Sequence, residues 1–541
     1  MYKSTYRSPW ESGWREKAWK RLGGEFDVII IGGGITGAGI LAVAAHSGMR
    51  ALLLEKGDFS SGTSSRSSKL VHGGLRYLKR MDIKLTRESV KERQYLLRSA
   101  QGLVEPLGFI YPLYEGESPG PWLIGIGLGI YTRLASDAGT YKKYDPLSVS
   151  MMAPGLTLKD MECAYQYTDA QTDDARLVLR VLHDSILSSN HNAFALNYAE
   201  AVSLIHHGDR VRGVEVRDGL TEKTKEVTAP VVINATGVWA DRLRSAVGSR
   251  KRLRPLRGSH LFFRLDRFPV FQSIAFTHPD DGRPVFVYPW EGAALVGTTD
   301  VDFRLSLDDE PAISQEEAEY LLRAVQNKFP DLELQKEDVL STQAGVRPVV
   351  SGGKKDPSAE SRDHVVWNEK GLLTVTGGKL TTFRLIAMDA LKEAQSMSKR
   401  ISLPKDGVQI FDVIHRKDSF RGIDAITCRR LTGRYGAAAE HVVKERALLL
   451  SPIQGTPYFW EELYWAIKNE AVCHLDDLML RRFRLGILLK DGGTSLLPKI
   501  RFVMMKDLNW DEKRWKTEVV RYKKILQTAH GLPDEWKKKE S

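Results

Sequence analysis

The stretch from Phe26 to Gly39 constrains this chain more than any other. It opens with an unbroken apolar run, Val28 to Ile31, of the kind that becomes a strand buried on both faces of a parallel sheet. Gly32, Gly34 and Gly37 follow at the G-x-G-x-x-G spacing, and the small, apolar residues from Ile35 to Ala45 predict a helix. Each glycine meets a separate demand: a tight turn, a close approach of backbone to a pyrophosphate, and close packing of helix on strand. The start of that helix offers N–H groups and the positive end of its dipole to phosphate oxygens. A second apolar run, Ala51 to Leu54, ends in Glu55, about 20 residues on, where an acid that holds a ribose belongs. The glycines alone would suit an ordinary turn. Strand, glycines, helix, strand and acid in this order predict a dinucleotide-binding α/β unit.

The 541 residues leave room for two to four domains. Cys163, Cys428 and Cys473 lie far apart with no C-x-x-C, which points to a reducing compartment and inert thiols. Met1 to Gly24 sets Trp10, Trp14 and Trp19 among charged residues and has no apolar core of a signal peptide. No apolar run reaches the ~18 residues of a membrane-spanning helix. The formal net charge of +11 suits an anionic partner, whether a phosphorylated substrate, an acidic membrane surface or nucleic acid, and does not choose among them.

Small hydroxyl residues dominate Lys56 to Lys69. This is either a solvated loop or a second strip of donors against the cofactor, with Thr63 and Ser64 the leading contacts. It runs directly into Leu70 to Leu78, which carries His72, Arg76 and Tyr77. Ile83 to Gln101 predicts a surface helix, and Asp173 to Asn190 an amphipathic one. Ser118 to Thr132 is apolar and uncharged but broken by glycines and prolines, so a buried connector is expected, with a segment dipping into a membrane face as the alternative. At Val231 to Asp241 another buried strand ends in Ala235, Thr236 and Gly237, where backbone can pass close to a cofactor. Paired with the opening motif, this return favours a flavin dinucleotide over a nicotinamide one.

Strand-like alternation fills Pro255 to Asp300 and Val339 to Val350, with a helix at Glu316 to Lys328 and a polar loop at Ser351 to Asp363. Leu372 to Thr382 reads as strand, glycine turn and helix start. Beyond about Ile401 the pattern changes to short helices and ends in a basic tail. The expected fold class is α/β: a Rossmann-like FAD-binding domain with an antiparallel-sheet substrate domain and a C-terminal helical domain. The expected divisions are an N-terminal extension over 1–25, interleaved FAD and substrate domains over 26–400 (substrate parts roughly 100–170 and 255–350), and helices over 401–541.

No histidine or cysteine spacing suggests a metal, so redox chemistry carried by the dinucleotide leads. The Gly377-Gly378-Lys379 turn precedes a helix whose positive end would stabilise a reduced flavin near N1. Lys379 either adds charge to flavin or substrate or is a solvated lysine. Arg347, on an apolar strand, needs an anion: a structural carboxylate or a substrate phosphate gripped by its planar fork. Arg76 and Arg362 are further candidates. His260 is the leading general base, against a satisfied core histidine, and His72 competes with it.

Several motifs occur together in order: Gly32 to Gly39, Glu55, Asn234 to Gly237, Ser67 to Leu78, Arg257 to His260, Gly297 to Asp300, Gly345 to Pro348 and Gly377 to Thr382. With them the chain resembles the FAD-dependent (aerobic, respiratory) glycerol-3-phosphate dehydrogenases, within the glycine oxidase and D-amino-acid oxidase-like superfamily. The resemblance covers most of the chain, from about Asp27 onward, and the extension Met1 to Gly24 departs from it with no role assigned. It implies FAD and the oxidation of sn-glycerol 3-phosphate to dihydroxyacetone phosphate, a base taking the C2 hydroxyl proton while hydride moves to flavin N5. Arg347 is implied as the main phosphate clamp, helped by Arg362, with Arg76 and Tyr77 on the substrate side near the flavin. His260 and Lys379 are implied as the polar pair at the reacting hydroxyl, and the proton acceptor stays open among His260, Lys379 and His72. The implied FAD contacts are Gly32, Gly34, Gly37, Glu55, Thr63, Ser64, Gly237, Gly378, Leu380 and Thr381.

Family members pass electrons to membrane quinone, while a sister group of oxidases uses oxygen, makes peroxide and usually carries an extra insertion before the helical end. The sequence leaves no room for that insertion, which favours the dehydrogenase over the oxidase. The resemblance further implies a cytoplasmic enzyme held peripherally on the anionic inner face of the cell membrane, with no nucleic-acid partner, and allows a homodimer.

Overall fold

The computed structural model describes residues 6–75, 82–117, 120–134, 141–189, 192–357, 360–404, 408–411, 420, 422–444 and 450–537. In it the apolar runs of the first half become neighbours in one sheet. Val28–Ile31 lies between Ala51–Leu54 and Val231–Asn234, parallel to both. Ala193–Leu196 and Leu372–Gly377 extend the sheet on either side, also parallel, and His364–Glu369 closes one edge in the antiparallel sense. Every residue of the three central strands is buried, as covering on both faces requires.

One cover is helical: Ile35–His46 sits against both Asp174–Ser188 and Phe383–Met397. A Cβ on Gly39 would lie 2.8 Å from the Phe383 ring, so the third helix closes only on glycine. The other cover is a three-stranded antiparallel sheet, Ala199–His207, Arg210–Asp218 and Thr224–Thr228. Its Val211, Val214, Val216 and Val227 join Ile29, Ile31, Leu52 and Leu54 in one apolar cluster.

A second sheet has ten strands, and its described pairings are antiparallel except where Ser273–Thr277 meets Val104–Tyr114. One of its two longest ladders joins Leu253–Arg264 to Val339–Val350, with His260 opposite Gln343, Gly258 opposite Gly345 and Leu256 opposite Arg347. Alternation sends Leu261 and Phe263 toward helix Gln315–Lys328 and Phe262 toward the C-terminal helices. His260 shares the face of Phe262, and the register puts Arg347 on that same face.

Beyond residue 401 the main described elements are helices, including Ala425–Tyr435, Trp460–Asn469, Leu497–Asp507 and Glu512–Ile525. These helices are joined to the parallel-sheet unit through buried ion pairs. Arg482 sets its two terminal nitrogens 2.5 and 2.8 Å from the two oxygens of Asp58, and Arg481 Nε is 2.5 Å from the same carboxylate. Arg484 and Arg434 reach Asp173, and Arg176 makes a two-pronged pair with Glu470 at 2.6 and 2.8 Å. The N-terminal extension ties both units. Ser8 Oγ donates to Asn469 O at 2.7 Å, Trp10 is buried, and Arg15 pairs with Asp218 at 2.8 Å.

The expected connector at Ser118 to Thr132 is instead a helix, Pro121–Leu134. Its glycines do not break it, because Ile124, Leu128 and Tyr131 form a buried seam at helical spacing and Gly125 abuts the Tyr165 hydroxyl. The other side is uncovered: Trp122 is 78% and Leu123 56% exposed, with Ile126 and Ile130 also exposed. Among the described residues no helix is long and apolar enough to cross a membrane.

Candidate active site

The glycine motif builds a cradle that side chains would fill. A Cβ on Gly32, whose φ is +116°, would lie 2.4 Å from Ala235 O, and one on Gly37 would lie 1.9 Å from Gly32 O. The turn, the returning Asn234-to-Gly237 segment and the helix start therefore pack backbone to backbone. The helix cap is Gly34, which has no side chain of its own to cap the N-terminus; Ser64 Oγ, from the following loop, accepts from Ile35 N at 2.9 Å. Glu55 is held at the end of its strand by Gly33 N at 2.6 Å and Gly57 N at 2.8 Å. Burial pushes its carboxyl up, against the pull of those two N–H donors. Thr63 Oγ1 donates to Val346 O at 2.5 Å, fastening this loop to the strand that carries Arg347.

The two later returns meet at the other end of this cradle. Thr376 Oγ1 donates to Gly237 O at 3.3 Å. Gly377 and Gly378 have φ of +78° and +74°; a Cβ would strike Asp363 O in the first case and Ile386 in the second. Thr381 Oγ1 donates to His72 O at 3.3 Å, which brings the His72 segment to the turn, with Leu380 in the same short 3-10 helix. Lys379 places Nζ 3.1 Å from Ser89 Oγ on helix Ile83–Ser99. Arg76 and Tyr77 lie outside the described residues.

His260 is buried, and its Nε2 lies 2.9 Å from Ser68 Oγ while Nδ1 has no described partner. Burial first, then the charges of Lys69 and Arg347, hold the ring well below the usual histidine range, so it is neutral near pH 7. The cations acting on His260 are thus Lys69 and Arg347. Two glycines make room for this group: a Cβ on Gly297 would meet the His260 ring at 2.2 Å, and one on Gly258 would meet the Arg347 guanidinium at 2.2 Å.

Arg347 Nη1 donates to Asp300 Oδ1 at 2.9 Å and to Thr299 O at 3.0 Å, and Nη2 to Thr298 Oγ1 at 2.9 Å. Arg362 Nη2 reaches the other Asp300 oxygen at 2.5 Å. Two guanidinium groups thus converge on one carboxylate. Beneath them Glu317 accepts from Ser259 Oγ at 3.0 Å and Thr299 Oγ1 at 2.5 Å and pairs with Arg257 at 2.7 Å. That one buried acid joins the Arg257-to-His260 and Gly297-to-Asp300 motifs, and sequence reasoning passed over it. It also passed over Asp300, Ser68 and Lys69. Lys69 was read only as the end of a loop, either solvated or set against the cofactor, and its side chain is fully buried against Asp174 at 3.3 Å.

The family model described as FAD dependent oxidoreductase matches residues 27–384, and that described as the C-terminal domain of alpha-glycerophosphate oxidase matches 386–515. The aerobic glycerol-3-phosphate dehydrogenase of Staphylococcus saprophyticus is 35% identical over 85% of this chain and 86% of that protein. The chain belongs to the FAD-dependent glycerol-3-phosphate dehydrogenase family. A glycerol-3-phosphate dehydrogenase of Mycobacterium leprae is 34% identical over 96% of this chain and 92% of its own length. Among solved structures, the Bacillus halodurans glycerol-3-phosphate dehydrogenase complexed with FAD aligns at a TM-score of 0.74 and 26% identity, covering 96% of this chain and 98% of that one. The protein is an FAD-dependent oxidoreductase of mixed α/β fold with a helical C-terminal part. The glycine cradle and the half-buried Glu55 fit that cofactor.

Proposed function

We propose that the protein oxidises sn-glycerol 3-phosphate to dihydroxyacetone phosphate and passes the electrons to membrane quinone. The observation that carries this reading is the convergence of Arg347 and Arg362 on Asp300, with the buried His260 on the same sheet face as Arg347. A phosphate dianion needs at least two cations, and planar forks suit it. Arg347 lies on the sheet face that also carries His260, so a three-carbon substrate held by its phosphate would lay its middle carbon near the ring. The substrate named for the relatives above agrees with this chemistry.

In this reading Arg347 is the main clamp and Arg362 the second, with His72, Arg76 and Tyr77 around the substrate. His260 takes the C2 hydroxyl proton, and Lys379 supports the developing charge from the glycine turn. Gly32, Gly34, Gly37, Glu55, Thr63 and Ser64 hold the ADP half of FAD; Gly237, Gly378, Leu380 and Thr381 hold the flavin half. Bound FAD supplies the hydride acceptor, N5. Glycine at 297 and 258 keeps ring and guanidinium close to their strands, leaving space on the cofactor side.

The exposed Trp122, Leu123, Ile126 and Ile130 support a peripheral seat on the inner face of the cell membrane, where quinone is reached, with the +11 charge favouring its anionic lipids. The oxidase is the competing reading. Turnover of sn-glycerol 3-phosphate with a short-chain quinone in the absence of oxygen tests the choice. Quinone reduction, with little peroxide when air is admitted, is the expected outcome. Stoichiometric peroxide under air and no quinone reduction would make it an oxidase.

A further inference from the structure

His260 touches Ser68, and Ser68 belongs to a segment with unusual restraints. Lys69, beside it, has φ of +53°, a left-handed conformation that a lysine adopts only under constraint. The constraint is a buried hub, Asp174. Its Oδ2 accepts from Ser67 N at 3.0 Å and Ser67 Oγ at 2.7 Å, and both its oxygens lie 3.3 Å from Lys69 Nζ. Arg484, from the C-terminal helices, binds the same carboxylate, and its Nη1 donates to Ser65 O at 3.3 Å. It also binds Asp173, the cap of helix Asp174–Ser188, at 2.8 Å. One arginine from the helical part therefore grips the segment and the hub that shapes it.

We infer that Arg484 and Ser68 are positioning residues for His260: the C-terminal helices, through Arg484 and Asp174, hold residues 65–69 so that Ser68 fixes which ring nitrogen carries the proton. A buried N–H without an acceptor is rarer than a buried lone pair without a donor. The proton therefore sits on Nε2, Ser68 Oγ accepts it, and the lone pair of Nδ1 is left for the substrate hydroxyl proton. This rests on the reading of His260 as the proton acceptor. The helical part then completes the active site rather than merely flanking it.

The test is a double-mutant cycle on the FAD-loaded enzyme with Ser68→Ala, Arg484→Lys and their combination, following kcat and KM for sn-glycerol 3-phosphate across pH. Ser68→Ala is expected to lower kcat by about 10²-fold, the scale of a small misplacement at a reacting group, with KM little changed. The acid limb of kcat/KM moves to lower pH, because the charged ring loses a hydrogen-bond acceptor. Ser68→Thr restores much of the rate. Arg484→Lys lowers kcat in the same way, and the double variant is no worse than Ser68→Ala alone, since both act through one contact. Multiplicative losses with an unmoved acid limb would overturn the inference. Should Arg484→Lys not accumulate with FAD, Asp174→Asn removes the same hub and takes its place in the cycle. An unmutated enzyme that ignores sn-glycerol 3-phosphate would instead overturn the proposed function.

Discussion

Two groups of arginines in this molecule do opposite work. At the seam between the parallel-sheet unit and the helices, Arg176, Arg434, Arg481, Arg482, Arg484 and Lys69 face Asp58, Asp173, Asp174, Glu470, Asp476 and Asp477. Cations and carboxylates interleave along it, and the Arg482 side chain is 0% exposed. At the candidate substrate site Arg347 and Arg362 share Asp300, and Arg347 remains 27% exposed. Matched and sealed charge marks a joint. Shared and open charge marks a place for an incoming anion. Buried pairs are a weak source of net stability, because desolvation offsets most of their attraction, but breaking one leaves a stranded charge. The seam therefore fixes one docking geometry, while the substrate pair keeps attraction in reserve.

The comparison is broken most directly by truncating one member of each group. Arg482→Ala is expected to destabilise the fold by about 3–5 kcal/mol, the consequence of leaving Asp58 buried and unpaired, read by denaturant unfolding. Arg347→Ala is expected to keep its fold and flavin while losing about 2–5 kcal/mol of substrate affinity. A stable Arg482→Ala protein, or an Arg347→Ala protein that unfolds, would erase the distinction.

Acid sharpens it next. Arginine charges hold Asp58, Asp173, Glu470 and Asp476 below the usual carboxylate range, despite burial. Their stabilisation is complete above the unfolded carboxyl values, near pH 4, and is lost as pH falls from there through the depressed folded values. Asp477 runs the other way, raised first by its burial and then by Asp58. The net expectation is a seam that loosens below about pH 4, with flavin release as the readout. Stability unchanged from neutral pH down to about pH 3 would contradict it.

The smallest effect concerns Asp300. Asp300→Asn leaves both arginines in place and removes an anion that a phosphate must approach. Inorganic phosphate is expected to bind about tenfold tighter, ~1.4 kcal/mol, by flavin absorbance perturbation. Weaker binding would mean that Asp300 chiefly orients the clamp.

The sequence disclosed what local backbone geometry demands. Gly32, Gly34 and Gly37 were legible because each position tolerates almost nothing else, and the strands around them because burial on both faces leaves an unbroken apolar run. His260 and Arg347 were legible as odd polar residues on apolar strands, but their meeting depends on the Leu256-to-Arg347 register, which no local pattern encodes. Arg481, Arg482 and Arg484 drew no attention at all, since a short basic run is ordinarily a solvated face and their partners Asp58 and Asp173 lie some 300 to 420 residues earlier in the chain. Lys69 hid in a hydroxyl-rich loop for the same reason. The helix Pro121–Leu134 was missed because its glycines were weighed as breakers, although the seam of Ile124, Leu128 and Tyr131 carries it.

The central claim is that the open arginine pair takes a phosphate whose carbon chain is then oxidised. Anaerobic titration of the FAD-loaded protein, following the flavin's visible absorbance, tests it in one cuvette. Bleaching by sn-glycerol 3-phosphate, and none by glycerol at the same concentration, is the expected result. Equal bleaching by glycerol, or bleaching by an amino acid and not by the phosphate ester, would contradict it.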